Sequence, residues 1–273
     1  MNKTLVNGKF TNLISINDRG FQFGDGVFRT FVSKNGKIPH FSLHYKKLKN
    51  DAKIIGIKAP KKDVLLADVL KVCNQSSVKI IKVIITRGES SRGYLYDRSI
   101  QPNIVIQSYD FDHKRLIDSQ KGVLVESVHF PIEKNIISEL KHLNRILNVL
   151  ALEGKKAHIT DRIFLDQKNR VIEGAFHCIF FRTKSKFILP SNQESGLVGV
   201  SRELLVDYLT KNNIAYDFKS IHYDKVNRYQ EMYLMNSVYG VIPVKKYDEF
   251  MFDTNLEIVK ELNRNLNLEY AKK

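Results

Sequence analysis

Two Asn-Gly pairs do most to limit what this chain can become. Val6-Asn7-Gly8-Lys9 and Lys34-Asn35-Gly36-Lys37 each place the pair between apolar segments. Asn and Gly tolerate the positive φ angles of a type I′ turn, so each site predicts a tight antiparallel hairpin. Between them, Asp18-Arg19-Gly20-Phe21-Gln22-Phe23-Gly24-Asp25-Gly26 reads as a glycine-rich loop entering a strand. Along that strand Phe28 and Thr30 fall on the face opposite Val27, Arg29 and Phe31. The glycines serve bends; the segment has no GxGxxG, so nothing in it demands a dinucleotide.

The elements that follow alternate between helical and strand patterns. Ser42 is placed to N-cap a helix through Leu43, Leu48, Ala52 and Ile55, and a second helix is expected over Lys62 to Cys73. Lys79 to Thr86 is β-branched and strand-like. Arg87-Gly88-Glu89-Ser90-Ser91-Arg92-Gly93-Tyr94 is a loop, and Ile104 to Ser108 a further strand. Asp110 to Lys121 is polar and charged, which reads as a linker between a domain over 1–109 and another over 122–273. The second part offers strands at 122–129, Arg162 to Asp166 and Val171 to Phe181. A loop from Pro190 to Arg202 opens a helix with Leu204, Leu205 and Tyr208 on its apolar face. Strands Glu231 to Met235 and Val241 to Val244 and a C-terminal helix complete the pattern. With 273 residues and 43% hydrophobic content, the chain has enough material for a real core.

Lys141 stands just ahead of a helical pattern carried by Leu143, Ile146, Leu147 and Leu150. A lysine held among packed apolar residues loses its proton more easily, because burial disfavours the ammonium, and a neutral amine forms a Schiff base with an aldehyde. Glu173 interrupts an apolar strand region, and a buried carboxylate needs a partner. Arg87 and Arg92, among small residues, have the fork geometry that grips carboxylates. The loop before Ser201 leads into a helix N-terminus, which is a potential phosphate seat. The formal charge of +15 is scattered, with no basic run; this fits an anionic small-molecule substrate better than nucleic acid. The two cysteines, Cys73 and Cys178, have no metal-ligand spacing, so a reduced, cytoplasmic setting is expected. No apolar run is long enough to span a bilayer. Ser138-Glu139-Leu140-Lys141 matches S-x-x-K, but K-T-G and S-D-N are missing.

Taken in order, Asp18-Arg19-Gly20 with Phe23-Gly24-Asp25-Gly26-Val27-Phe28, Lys141-His142-Leu143-Asn144-Arg145, Glu173, and Gly196-Leu197-Val198-Gly199-Val200-Ser201-Arg202 resemble the fold-type IV pyridoxal-phosphate enzymes. That family holds branched-chain and D-amino acid aminotransferases and 4-amino-4-deoxychorismate lyases. The Lys-His-Leu-Asn-Arg motif, the Arg87–Tyr94 loop and Thr30 are most similar to its lyase branch. The resemblance implies an α/β (α+β) fold, the two-domain D-amino acid aminotransferase-like architecture, with a small N-terminal domain, a larger C-terminal one and the cofactor, pyridoxal 5′-phosphate, at their interface. It implies Lys141 as the Schiff-base residue, Glu173 on the pyridine nitrogen, and Lys47, Val200, Ser201 and Ser237 at the phosphate. Thr30 would assist proton transfer, and Arg92 or Arg87 would bind a substrate carboxylate. A homodimer is implied as well. The activity implied is formation of 4-aminobenzoate and pyruvate, with transamination of branched-chain or D-amino acids as the alternative. Lys47 stands where the family usually has Arg, and Cys178 where it commonly has Asn.

Overall fold

The structure, a computed structural model, describes residues 3–191, 193 and 196–270. It divides into two units: 1–111 with 140–145, and 112–139 with 146–273. The first unit therefore reclaims the short segment that contains Lys141.

In the first unit, β1 (Thr4–Val6) and β2 (Lys9–Phe10) form the first hairpin. Asn7 and Gly8 take φ 49° and 78°, the left-handed values a type I′ turn requires. A short helix, α1 (Arg19–Phe23), lies where a loop was expected; Asp18 caps it by accepting the Gly20 and Phe21 N–H groups. β3 (Gly26–Lys34) runs into the second Asn-Gly turn, closed by reciprocal hydrogen bonds between Lys34 and Lys37. α2 (Phe41–Ile54) and α3 (Lys62–Val72) follow, then β4 (Val78–Thr86) and β5 (Asn103–Asp110). His40, not Ser42, is the residue that precedes α2, and Ser42 lies inside the first turn, where its hydroxyl accepts from Lys62. The strands form one antiparallel sheet in the order β2-β1-β5-β4-β3. Its odd-numbered residues Val27, Phe31, Ile81, Val83 and Ile85, with Ile106, pack with Leu48, Ala52, Leu65 and Val69 of the helices. The opposite face carries Phe28, Thr30, Ile80, Lys82, Ile84, Val105, Gln107 and Tyr109, all half-buried.

The second unit opens with α4 (His113–Ser119), capped by the Asp112 carboxylate, inside the stretch expected to be a linker. It continues with β6 (Val123–Ser127), α5 (Ile146–Leu152), β7 (Ile159–Leu165), β8 (Val171–Gly174), β9 (Cys178–Arg182) and β10 (Phe187–Pro190). α6 (Val200–Lys211), β11 (Tyr216–Lys219), β12 (Glu231–Asn236), β13 (Gly240–Tyr247), β14 (Phe250–Met251) and α7 (Leu256–Asn265) complete it. Its nine-stranded sheet runs β11-β10-β9-β12-β13-β6-β7-β8, with β14 on β13. Phe180 and Tyr233, fully buried, stack at 4.8 Å across β9 and β12. The apolar side chains of α5 are largely exposed: Ile146 and Val149 are each 62% accessible, and Leu147 and Leu150 are exposed too.

Candidate functional site

Lys141 is fixed by its backbone. Its carbonyl accepts the Phe28 N–H at 2.9 Å, and the Leu143 N–H reaches the Gly26 carbonyl at 3.0 Å, so the segment pairs with the start of β3. The Lys141 N–H donates to Asp51 Oδ2 at 3.0 Å, and the same oxygen accepts from Arg29 at 2.5 Å. Arg145 clamps the segment from its other side by donating to the carbonyls of Leu140 and His142. Leu143, counted into the helical stripe from its spacing, thus lies ahead of the helix, which begins at Ile146. The half-buried side chain of Lys141 places Nζ 4.9 Å from the centre of the Phe28 ring. His142 is held neutral: burial first, then the Arg145 charge, lowers it to about 4.

Thr30 lies two residues beyond Phe28 on the same half-open sheet face. Lys47 sits on α2 one turn before Asp51 and is half-buried. The two loop arginines part company. Arg87 is buried; its guanidinium donates to both oxygens of Asp25 and to the Ile55 and Gly56 carbonyls, and it stacks over Tyr96 at 4.0 Å. Those bonds tie the loop to its neighbours, so Arg87 is a structural residue. Arg92 is exposed. Two residues of this region escaped the sequence reading. Asp51 reads as one more charge on a polar helix. Lys82 is signalled only by being a charge in the middle of a β-branched run.

In the second unit, Glu173 at the end of β8 accepts the Leu197 N–H at 3.0 Å, which draws the 196–199 loop to its carboxylate. That loop ends at Gly199, the residue before α6; Ser201 is buried inside the first turn beside Val200. The cap position offers no side-chain hydrogen bond, and a Cβ built on Gly199 would meet nothing within 4 Å. The first N–H groups of the helix thus have no side-chain cap, and the positive end of its dipole lies at Gly199. Cys178 Sγ bonds the Met235 carbonyl at 3.1 Å and lies 3.7 Å from Ser201 Oγ. Burial pushes its thiol up to about 11, so it stays protonated. Ser237 lies in the half-buried turn after β12. Asn192, Glu194 and Ser195 of the expected loop lie outside the described residues.

The family model for amino-transferase class IV matches residues 26–247. The chain belongs to the class IV aminotransferase family. It is 27% identical over 241 residues to an aminodeoxychorismate lyase of Vibrio harveyi, covering 88% of this chain and 89% of that one. It is 25% identical over 258 residues to a D-alanine aminotransferase of Staphylococcus aureus, covering 91% and 90%. Its fold superimposes on the crystal structure of 4-amino-4-deoxychorismate lyase from Pseudomonas aeruginosa with a TM-score of 0.88 and 25% identity, over 98% of this chain and all of that one. A branched-chain aminotransferase from Thermoproteus uzoniensis shares the fold at 18% identity, with a TM-score of 0.84 over 98% and 95%. Enzymes of this class use pyridoxal 5′-phosphate. Each unit by itself holds chemistry suited to that group: the first an amine that can join an aldehyde, the second a carboxylate and a helix N-terminus without a side-chain cap.

Proposed function

We propose that this protein is a 4-amino-4-deoxychorismate lyase that forms 4-aminobenzoate, a folate precursor, and pyruvate. The observation that carries the reading is the strapping of Lys141, whose two peptide groups are tied to β3 and Asp51 while Nζ lies 4.9 Å from the centre of the Phe28 ring. The Lys-His-Leu-Asn-Arg and Arg87–Tyr94 motifs, and lyases among the relatives in both sequence and structure, support this activity over its rival.

Pyridoxal phosphate, when bound, supplies an aldehyde that joins amines and a protonated ring that accepts electron density. Lys141 Nζ would hold the aldehyde, Glu173 the ring nitrogen, and the Val200 and Ser201 N–H groups, with Lys47 and Ser237, the phosphate. As a free amine, Lys141 takes the proton from C4 of the substrate ring and acts as general base. Thr30, on the same sheet face as Phe28, orients the substrate or relays that proton. Loss of the enolpyruvyl oxygen from C3 then makes the ring aromatic, and the released enolpyruvate gains a proton to become pyruvate. Arg92 is a candidate for a substrate carboxylate. The exposed apolar stripe of α5 supports a homodimer, since patches of this kind mark contact surfaces.

Borohydride reduction followed by peptide mass analysis should place a pyridoxyl group on Lys141, and Lys141→Ala should lose both the visible absorbance band and release of 4-aminobenzoate. Survival of both in that variant overturns the reading. Aminotransferase activity on D-amino or branched-chain acids is the second reading, favoured by the D-alanine aminotransferase relatives. Formation of 4-aminobenzoate without an added 2-oxo acid separates the two.

A further inference from the structure

Arg19 opens α1 and is only 3% accessible. A buried guanidinium must place its N–H groups on acceptors. Nε donates to Asp25 Oδ2 at 2.9 Å. The other two nitrogens turn to a segment 71 to 75 positions further along the chain. One donates to Ser90 Oγ at 2.9 Å and to the Gly93 carbonyl at 3.0 Å, the other to the Tyr94 carbonyl at 3.0 Å. The backbone adds two bonds between the same segments: the Arg19 N–H reaches the Gly88 carbonyl, and the Ser90 N–H the Asn17 carbonyl. Rings complete the seat. The guanidinium lies 4.9 Å from the centre of Phe23 and 5.1 Å from that of Tyr96, and Tyr94 packs on Phe23 at 5.4 Å.

Asp25 does not neutralise Arg19 alone, because the same carboxylate also takes two N–H groups of Arg87. Two guanidinium groups share one acid, and the loop oxygens supply the rest of the solvation that Arg19 needs. Those acceptors, Ser90, Gly93 and Tyr94, bracket Arg92, which is exposed. Gly93 takes φ 100°, so the loop depends on a glycine to close in this way. We propose that Arg19 is a positioning residue: by holding the 90–94 loop around its guanidinium, it fixes where Arg92 is offered to a carboxylate of the substrate. The inference rests on the reading of Arg92 as the residue for that carboxylate, and it adds the group that sets the loop's shape. Arg87 has a different task. It ties the base of the loop to Asp25 and to the Ile55 and Gly56 carbonyls, and among the described residues it donates no bond to positions 90–94. Lysine would not replace Arg19, since it keeps the charge but lacks the planar fork that serves acceptors on several sides.

Two measurements on the cofactor-loaded protein test this, with Arg19→Lys, Arg92→Gln and the double variant. Chymotrypsin reads the loop directly, because Tyr94 and Leu95 are exposed there. Arg19→Lys should be cut at these residues about tenfold or more faster than the wild type, the effect of losing hydrogen bonds to a charged group on the population of the open loop. Cleavage elsewhere in the chain should rise far less, since general unfolding exposes every site alike. Kinetics with aminodeoxychorismate reads the consequence. Arg92→Gln and Arg19→Lys should each raise KM and leave kcat nearly unchanged. The double variant should be no worse than Arg92→Gln alone, because two residues that act through one contact are not additive. Losses that multiply in the double variant overturn the proposal, and so does a loop cut no faster in Arg19→Lys than in the wild type. If Arg19→Lys does not fold, Ser90→Ala removes one acceptor from the loop side and carries the same comparisons. A wild type that forms no 4-aminobenzoate would remove the lyase reading, whereas an unchanged KM in Arg92→Gln would remove only the proposal.

Discussion

At the scale of single residues, the burial of charge is the most informative feature of the first unit. Arg29 and Asp51 are both buried, 3% and 5% accessible, and joined at 2.5 Å. Burial lowers the Arg29 pKa, Arg145 adds to the effect, and Asp51 opposes it. Removing one partner leaves the other charged and unsolvated, at a cost of about 3–5 kcal/mol. Asp51→Asn should therefore destabilise the protein by that amount in urea unfolding, and Arg29→Met combined with Asp51→Asn should cost less than the single change. Equal losses would mean that the ion pair is not the source. His44, packed on Phe31 with its Nδ1 unpaired among the described residues, behaves differently. Burial, then Arg29 and His40, lower it to about 3 from 6.5. A histidine with a lowered folded pKa contributes fully above its unfolded pKa and loses that stability as pH falls below it. Stability should thus drop by about 2 kcal/mol between pH 6.5 and pH 5 on this account. His44→Phe should remove that part of the slope; an unchanged slope would assign the acid sensitivity elsewhere.

At the scale of elements, what could be read from the sequence was what local chemistry decides. Both Asn-Gly turns, the alternation along β3 and the β-branched β4 need only neighbours in the chain and formed as expected, although the second turn closes a single Lys34–Lys37 bridge and not a two-stranded hairpin. The misread features depend on partners far away. Helical periodicity placed an apolar stripe on α5 but could not say that the stripe faces outward. Arg87 looked available until Asp25, distant in sequence, was found to hold it. The helix α4 was legible in principle, since Asp112 is an N-cap signal that overall polarity obscured. The turn between β8 and β9 is a further case of non-local constraint. His177 Nδ1 and Asp161 Oδ2 lie 2.7 Å apart, both groups buried, and Asp161 also accepts the Phe176 N–H. A Cβ on Gly174 would overlap the Asp161 carboxylate. Gly174→Ala should cost about 1–3 kcal/mol, the usual range for overpacking, and should lower the melting temperature. A variant as stable as the wild type would show that this pair yields easily.

At the scale of the whole molecule, the charge of +15 bears on how substrate arrives rather than on how the chain folds. The proposed substrate carries two carboxylates, and a scattered positive field raises its encounter rate without any one contact being responsible. Screening distinguishes that effect from short-range contacts within the site. The Debye length falls from about 10 Å at 0.1 M ionic strength to about 3 Å at 1 M, which removes attraction across the surface but leaves a half-buried, hydrogen-bonded pair largely intact. Raising the salt should therefore lower kcat/KM severalfold and leave kcat unchanged. A kcat/KM that stays constant as salt rises would mean that the charge scattered over the surface has no part in substrate capture.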